Sequence, residues 1–467
     1  MPAIPILTSD RTVPILCVGL VAMQMAASLA ALQWGWYWSL APLGTVALAV
    51  CLLAPRFGIY IAVALLYLRL SLPIRNGVYP VDIAVLLILA GVLIVRMAEG
   101  PSLFVHSPVN RVIGIMLAIF AIGVPGAYHF TGAVINWLRH VQILMFFLAA
   151  LTLLTVRDVR RILLLMLVGT SMMAVVNVLR FIATAGTDRV IGPMGAFFPL
   201  FLSLAICHTA VHALTAEHRR HVAGWALLLL ILIFAQIASL ARAGWLQATI
   251  SLAVMTVIIW RMDWPTHIKV KRRYLLVAGA LGAIIIFAIA SRPTMFSYAA
   301  RRISSVLSGE STSMSIRYYL WMTGLKVFLS SPIMGIGLGQ ISHLHEYLSF
   351  WRFHPFAGVS RGLGAHNDCI TYLAEVGLVG TTAILWYFVT VLRLGHETLK
   401  RCVTLEDRRM VLTLLVAAWG IVLTYFYGAH QFYSISGLTI SLYFAMLVRC
   451  WYEWAYRADQ SLDLRST

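Results

Sequence analysis

The chain has 467 residues, 61% hydrophobic and only 11% charged, with a mean hydropathy of +0.88 and a formal net charge of +18. That composition excludes a soluble globular protein, whose surface needs far more charge than this chain has. It also excludes a nucleic-acid-binding module, because no basic domain with interleaved aromatics stands outside the apolar runs.

A hydrocarbon core of about 30 Å needs about 20 mainly apolar helical residues to cross it. Runs of suitable length recur at 13–31, 34–53, 57–74, 81–96, 112–126, 139–154, 162–182, 196–214, 223–240, 244–260, 275–290, 370–392, 411–426 and 437–451. Each must be a helix, since a backbone in lipid has to satisfy its own hydrogen bonds, and the alternating ten-residue pattern of a barrel does not occur. The expected fold is therefore an all-α polytopic membrane protein with about 12–14 transmembrane helices and one large, partly helical outer loop. Its segments are 1–290, N-terminal helices; 291–369, the loop; 370–452, C-terminal helices; and 453–467, a tail. Only Arg11 precedes the first run and no small-residue cleavage site follows it, so it reads as a retained helix. Cys17, Cys51, Cys207 and Cys450 fall in apolar runs, Cys369 reads as an unpaired thiol, and no cysteine pair has metal-ligand or redox spacing.

Lys and Arg accumulate on the cytoplasmic side of short connections. With the N-terminus inside and strict alternation, the inner face receives Arg157, Arg160 and Arg161; Arg219 and Arg220; Lys269, Lys271, Arg272 and Arg273; and Lys400, Arg401, Arg408 and Arg409. The tail falls on the same side. The 291–369 loop falls outside, with Arg189 and Arg242 at the ends of other helices. The outer arginines need an explanation of their own, because Glu310, Glu346 and Asp368 are too few to neutralise them. An under-neutralised guanidinium cluster at membrane level is a site for an anion, and the planar fork of Arg suits phosphate.

Three constellations carry this reading. Ser239-Leu240-Ala241-Arg242-Ala243-Gly244-Trp245 is a polar break between apolar runs, with its arginine at the outer boundary as an anion ligand or a snorkelling anchor. Residues 315–329 predict an amphipathic helix carrying Arg317, which Pro332, Gly335, Gly337 and Gly339 end in a tight turn. Gly362-Leu363-Gly364-Ala365-His366-Asn367-Asp368 delivers His366 to the start of a long helix, where free N–H groups favour negative charge and a histidine can move protons near neutral pH. The plainer alternative is that Asn367 or Asp368 caps the helix and His366 is a bystander. Glu375 is costly in lipid, so it must face protein or water, as a structural partner for a loop or helix.

The order of these features, an outer Arg242 before Trp245, Arg317 with Trp321, the glycine turn, His366-Asn367, and Glu375 with Gly377 and Gly380, resembles the bacterial O-antigen ligase and polymerase superfamily, and within it the ligase branch. In this chain Ala241 stands where the family's usual serine precedes the first arginine, so no role for that hydroxyl carries over. The resemblance implies a glycosyltransferase of a Gram-negative inner membrane with a periplasmic site. Such an enzyme moves a glycan en bloc from undecaprenyl-pyrophosphate to a sugar hydroxyl of lipid A-core, inverting the anomeric carbon without metal or other cofactor. It further implies that Arg242 and Arg317 bind the pyrophosphate, with Arg189 a third candidate on the same face. His366 would be the general base, supported by Asn367, Gly337 and Glu375. The same motifs fit a polymerase, which uses the same carrier-linked donor. A transporter of an anionic lipid-linked substrate would also need outer arginines, though such proteins usually carry paired repeats, which this chain lacks.

Overall fold

The computed structural model describes residues 41–68, 80–99, 103–183, 198–216, 218–239, 241–262, 312–343, 365–426 and 434–456. Among them every regular element is helical, and the chain is an all-α polytopic membrane protein. Six described helices are long and apolar enough to span a bilayer. The runs 13–31 and 275–290 and Arg189 lie outside the described residues.

Two compact units divide the chain. The first comprises residues 1–65 and 70–103 and contains α1 (Ala41–Leu53), most of α2 (Pro55–Leu68) and α3 (Pro80–Glu99). Glycines let its backbones touch: a Cβ on Gly58 would lie 2.8 Å from both Cys51 Cα and Ile88 Cγ1.

The second unit, residues 66–69 and 104–467, holds α4 (Pro108–Ile122), α5 (Phe130–Leu153), α6 (Val156–Ala183), α7 (Phe198–Thr215), α8 (Arg219–Ala238), α9 (Arg242–Arg261), α10 (Thr312–Ser330), α11 (Asp368–Arg401), α12 (Leu405–Thr424) and α13 (Ser434–Trp451). At its centre α12 and α13 are buried along most of their described length, and Phe147, Tyr387, Phe388, Tyr425 and Phe444 pack edge-on or tilted between α5, α11, α12 and α13. At the periphery α6 exposes Leu164, Met172, Val176 and Leu179, an apolar face that only lipid or another apolar surface can cover. Cys51, Cys207, Cys402 and Cys450 are buried free thiols and Cys369 is a half-buried one.

The contacts at the two ends of this unit join elements that strict alternation assigns to the same side. At one end Arg160 pairs with Glu406 (3.2 Å) and Asp407 (2.5 Å), Arg409 bonds Thr215, and Arg449 bonds both Glu453 and the Leu151 carbonyl. At the other, Asn367 Nδ2 donates to Phe426 O, and Gly337 approaches Gly123.

Helix α10 covers the predicted 315–329 and extends it at both ends. It is not amphipathic in the expected sense: Leu320, Thr323 and Val327 are buried, while the exposed side mixes Tyr318, Met322, Leu325 and Leu329 with Lys326 and Ser330.

Candidate active site

The long helix α11 is broken at one residue. Gly377 adopts φ +64° and ψ −166°, a region open essentially to glycine alone. The break removes the helical bonds from Leu378 and Val379 back to Ala374 and Glu375. The loop after α10 replaces them: Ile336 N donates to Ala374 O (3.0 Å), Gly337 N to Glu375 O (2.8 Å), Leu378 N to Pro332 O (2.8 Å) and Val379 N to Ile333 O (3.2 Å). Two bonds are lost and four are made, so the loop is stitched into the helix by backbone alone. This demands bare backbone on both sides. Gly335, Gly337 and Gly339 all have positive φ, and a Cβ on Gly335 would collide with the backbone of Glu375.

Side chains fasten the far end of the loop. Glu375, 1% exposed, accepts from Ile341 N through Oε1 (3.0 Å), the structural partnership its position requires. Gln340 clasps the residue that caps α5: its Oε1 accepts from His129 N (2.7 Å) and its Nε2 donates to His129 O (3.2 Å). His129 in turn accepts from Gly132 N through Nδ1 and stacks on His343, ring centroids 4.5 Å apart. Below them His140 and Tyr372 join α5 to α11 by a 2.8 Å hydrogen bond. Sequence reasoning missed Gln340, His129, His343 and the His140–Tyr372 pair. Gln340 and His129 are 211 residues apart and meet side-chain amide to backbone, a match that leaves no periodic or compositional trace.

His366 has φ +50°, and among the described residues it is the non-glycine with positive φ. Its neighbours account for this. Ala365 is buried in a cluster with Val327, Ile341 and Ala374, with Ile336 and Ile370 packed against it. Asn367 is buried on the other side, where its side-chain oxygen accepts from Ile370 N (3.2 Å) and its amide donates to Phe426 O (2.8 Å). Cys369 N adds a bond to Tyr425 O. The half-buried His366 is thus turned out of line between two anchored residues. Asn367 caps α11, and His366 immediately before the cap takes the left-handed conformation, in which histidine is enriched among non-glycine residues.

Helix α10 crosses the start of α11 at Gly324, where a Cβ would lie 2.5 Å from Ile370 Cγ2 and 3.9 Å from Ala365 Cβ. Arg317, half-buried, is seven residues earlier, on the same helical face and about 11 Å along the axis. Nearby, burial raises the Tyr319 phenol above its ordinary range, partly offset by the Thr323 hydroxyl.

Arg242 is the first residue of α9. The turn before it is fixed by Ser239 Oγ donating to Gln236 O (2.7 Å) and Trp245 Nε1 donating to the same carbonyl (2.7 Å). Ser203 of α7 then donates to Gly244 O (3.0 Å). Further along, Gln247 and Ser251 of α9 meet Gly420 of α12. These two helices run antiparallel, so at about 1.5 Å per residue the start of α9 lies level with the end of α12, where Phe426 receives Asn367. The backbones of Arg242 and His366 therefore share one end of the bundle.

The arrangement offers a half-buried histidine on a rigid frame, a guanidinium two turns along the helix that crosses it, and a second arginine backbone at the same level. Residues 227–385 match the family model described as O-Antigen ligase, a span that contains Arg242, Arg317, the glycine loop, His366 and the α11 break. A comparison with curated proteins returns no match. Over this span, about a third of an all-helical membrane chain, the protein is similar to the O-antigen ligase family, in the region that holds the motifs quoted from the sequence.

Proposed function

We propose that the protein is an O-antigen ligase of a Gram-negative inner membrane, transferring a glycan en bloc from undecaprenyl-pyrophosphate to a sugar hydroxyl of lipid A-core on the periplasmic side. The observation that carries the reading is the left-handed His366, locked between buried Ala365 and the capping Asn367 within the matched region. His366 takes the proton from the acceptor hydroxyl as that oxygen attacks the anomeric carbon from the face opposite the leaving group. The anomeric C–O bond to the diphosphate breaks, and the configuration inverts. General-base help of this kind is worth about 10²–10⁴ in rate.

The leaving pyrophosphate gathers negative charge as the bond breaks. Arg317 and Arg242, with Arg189 as a third contributor, hold that charge with fixed bidentate donors in a water-poor site. Cations that neither move nor exchange can stabilise the diphosphate without a metal. Both substrates are lipid-anchored, which accounts for a site at membrane level.

A strain lacking the protein tests the assignment. Loss of a ligase leaves carrier-linked polymer of normal length and unmodified lipid A-core, whereas accumulation of single carrier-linked repeats would make this chain a polymerase and overturn the reading.

A further inference from the structure

Helix α9 begins without the usual fastening. The first N–H groups of an α-helix have no partner within it. A Ser, Thr, Asp or Asn at the N-cap normally binds one of them and so fixes how the helix starts. Here the N-cap is Ala241, and no side-chain capping bond is made. Arg242 follows at once as the first residue of the helix, so the position of its backbone depends on how the start of α9 is held by other means.

It is held from one carbonyl. Gln236 O lies in the last turn of α8 and accepts from both Trp245 Nε1 and Ser239 Oγ, each at 2.7 Å. The indole bond spans from one turn inside α9 back to α8, while Trp245 N closes the first turn of α9 on Ala241 O (3.1 Å). The half-buried Trp245 therefore fastens the connection at both ends, by its backbone within α9 and by its indole to α8. The anchor is itself fixed. Gln236 is 3% exposed, its Nε2 lies 3.5 Å from Ser203 Oγ of α7, and its amide fills the space beside Gly244, where a Cβ would lie 2.3 Å from Nε2.

We infer that Trp245 is a positioning residue for Arg242: its indole N–H, bound to Gln236 O, takes the place of the missing cap and sets the point from which the guanidinium reaches the diphosphate. This role rests on the pyrophosphate binding proposed above for Arg242 and names the residue that keeps Arg242 in place for it. Because Arg242 opens the helix, a small tilt of the start of α9 moves the root of its side chain directly. In a preorganised site a misplacement of about 1 Å can cost about 10²-fold. Loss of one hydrogen bond leaves the rest of the fastening, Ser239 included, so the effect of removing the indole N–H alone should be smaller.

The experiment titrates undecaprenyl pyrophosphate into the purified full-length protein and into Trp245→Phe, Arg242→Ala and the double variant. Phenylalanine keeps a ring at the position and removes the N–H, and affinity should fall about threefold to tenfold, the worth of one hydrogen bond. Hydrogen exchange at the amide of residue 245 should speed up while the amides of α12 and α13 hold their rates. With Arg242 already alanine, the same change should alter affinity by less than about twofold, because Trp245 acts through Arg242. Ser239→Ala removes the other donor to Gln236 O and should show the same dependence on Arg242. A tryptophan that merely supported the fold would weaken binding by the same factor in both backgrounds, and that result overturns the inference. Unchanged affinity in Trp245→Phe beside a loss in Arg242→Ala overturns it too and leaves the pyrophosphate reading standing. Unchanged affinity in Arg242→Ala overturns both.

Discussion

Replacing Gly377 with alanine should cost the protein its working site while leaving most of the bundle intact. Two outcomes are open to the variant. If the break is kept, alanine must occupy φ +64° and ψ −166°, at a cost of about 1–3 kcal/mol, and its Cβ would collide with the Ile333 carbonyl and lie 2.7 Å from Gly335 N. If α11 straightens, two helical bonds return and the four bonds to the loop are lost. At about 0.5–1.5 kcal/mol net for each of the two missing bonds, that route costs about 1–3 kcal/mol. Both routes loosen the loop by a factor of about 5 to 150. Hydrogen exchange reads this directly at the amides of Ile336, Gly337, Leu378 and Val379, which should speed up together while those of α12 and α13 hold their rates. Glycan transfer should fall with them. Unchanged exchange at those four amides, with transfer at the parental rate, would show that the stitched break is not what holds the frame. Gly114→Ala is the control, since a Cβ there meets nothing within 4 Å, and this helical position should gain about 0.5–1 kcal/mol.

Glu375→Ala strips the buried Ile341 N–H of its acceptor and should lower stability by about 1–3 kcal/mol, whereas Glu375→Gln keeps a carbonyl oxygen there and should recover most of it; equal melting of the two variants would count against the assigned bond. Arg242→Lys and Arg317→Lys keep charge but lose the bidentate fork, so both should weaken donor binding in a carrier-pyrophosphate binding assay. His366→Ala should bind donor nearly normally and turn over slowly, with partial recovery at higher pH, and a folded His366→Ala protein transferring at the parental rate would end its assignment as base. Transfer by purified protein should persist in excess EDTA, because arginines hold the diphosphate; activity lost to chelation and restored by a divalent ion would refute that.

The parts of the structure legible in the sequence are those governed by local rules. The apolar runs at 81–96, 162–182 and 244–260 appear as α3, α6 and α9 within a few residues, because crossing a bilayer constrains length and composition together. Asn367 is a cap with the expected geometry, and Glu375 has the buried partner its cost demands. The Gly377 break was not legible: a glycine inside an apolar run is usually tolerated in a helix, no proline marks the spot, and the bonds that compensate for it come from about 40 residues earlier, between the 332–337 loop and residues 374–379. Nor was the end of α11 at Arg401, where the helix continues past the apolar run 370–392 through Arg393–Arg401. The Gln340–His129 clasp depends on a side-chain amide matching a backbone amide in space, and that kind of match is written in tertiary geometry alone.

The two ends of the second unit are tied by different chemistry, and the proposed reaction gives a reason. At the end with Arg160, Arg401 and Arg449, cations are held by carboxylates, in the pairs Arg160–Glu406, Arg160–Asp407, Arg401–Glu397 and Arg449–Glu453. Side-chain ion pairs serve a structural end well, since neutralised charge is no loss there. At the end with His366 the ties described are backbone ladders, the neutral amides of Gln340 and Asn367, and stacked rings. Glu375 is turned toward a backbone N–H and fixes the loop through it. Two carboxylates do stand at this end, Glu375, bonded to a backbone N–H, and the buried Asp368 in the first turn of α11, and both are on α11 and not on α9 or α10, the helices that carry Arg242 and Arg317. An enzyme that stabilises a departing diphosphate with arginine needs that separation, because each carboxylate admitted to the site would cancel part of the field that draws the leaving group away.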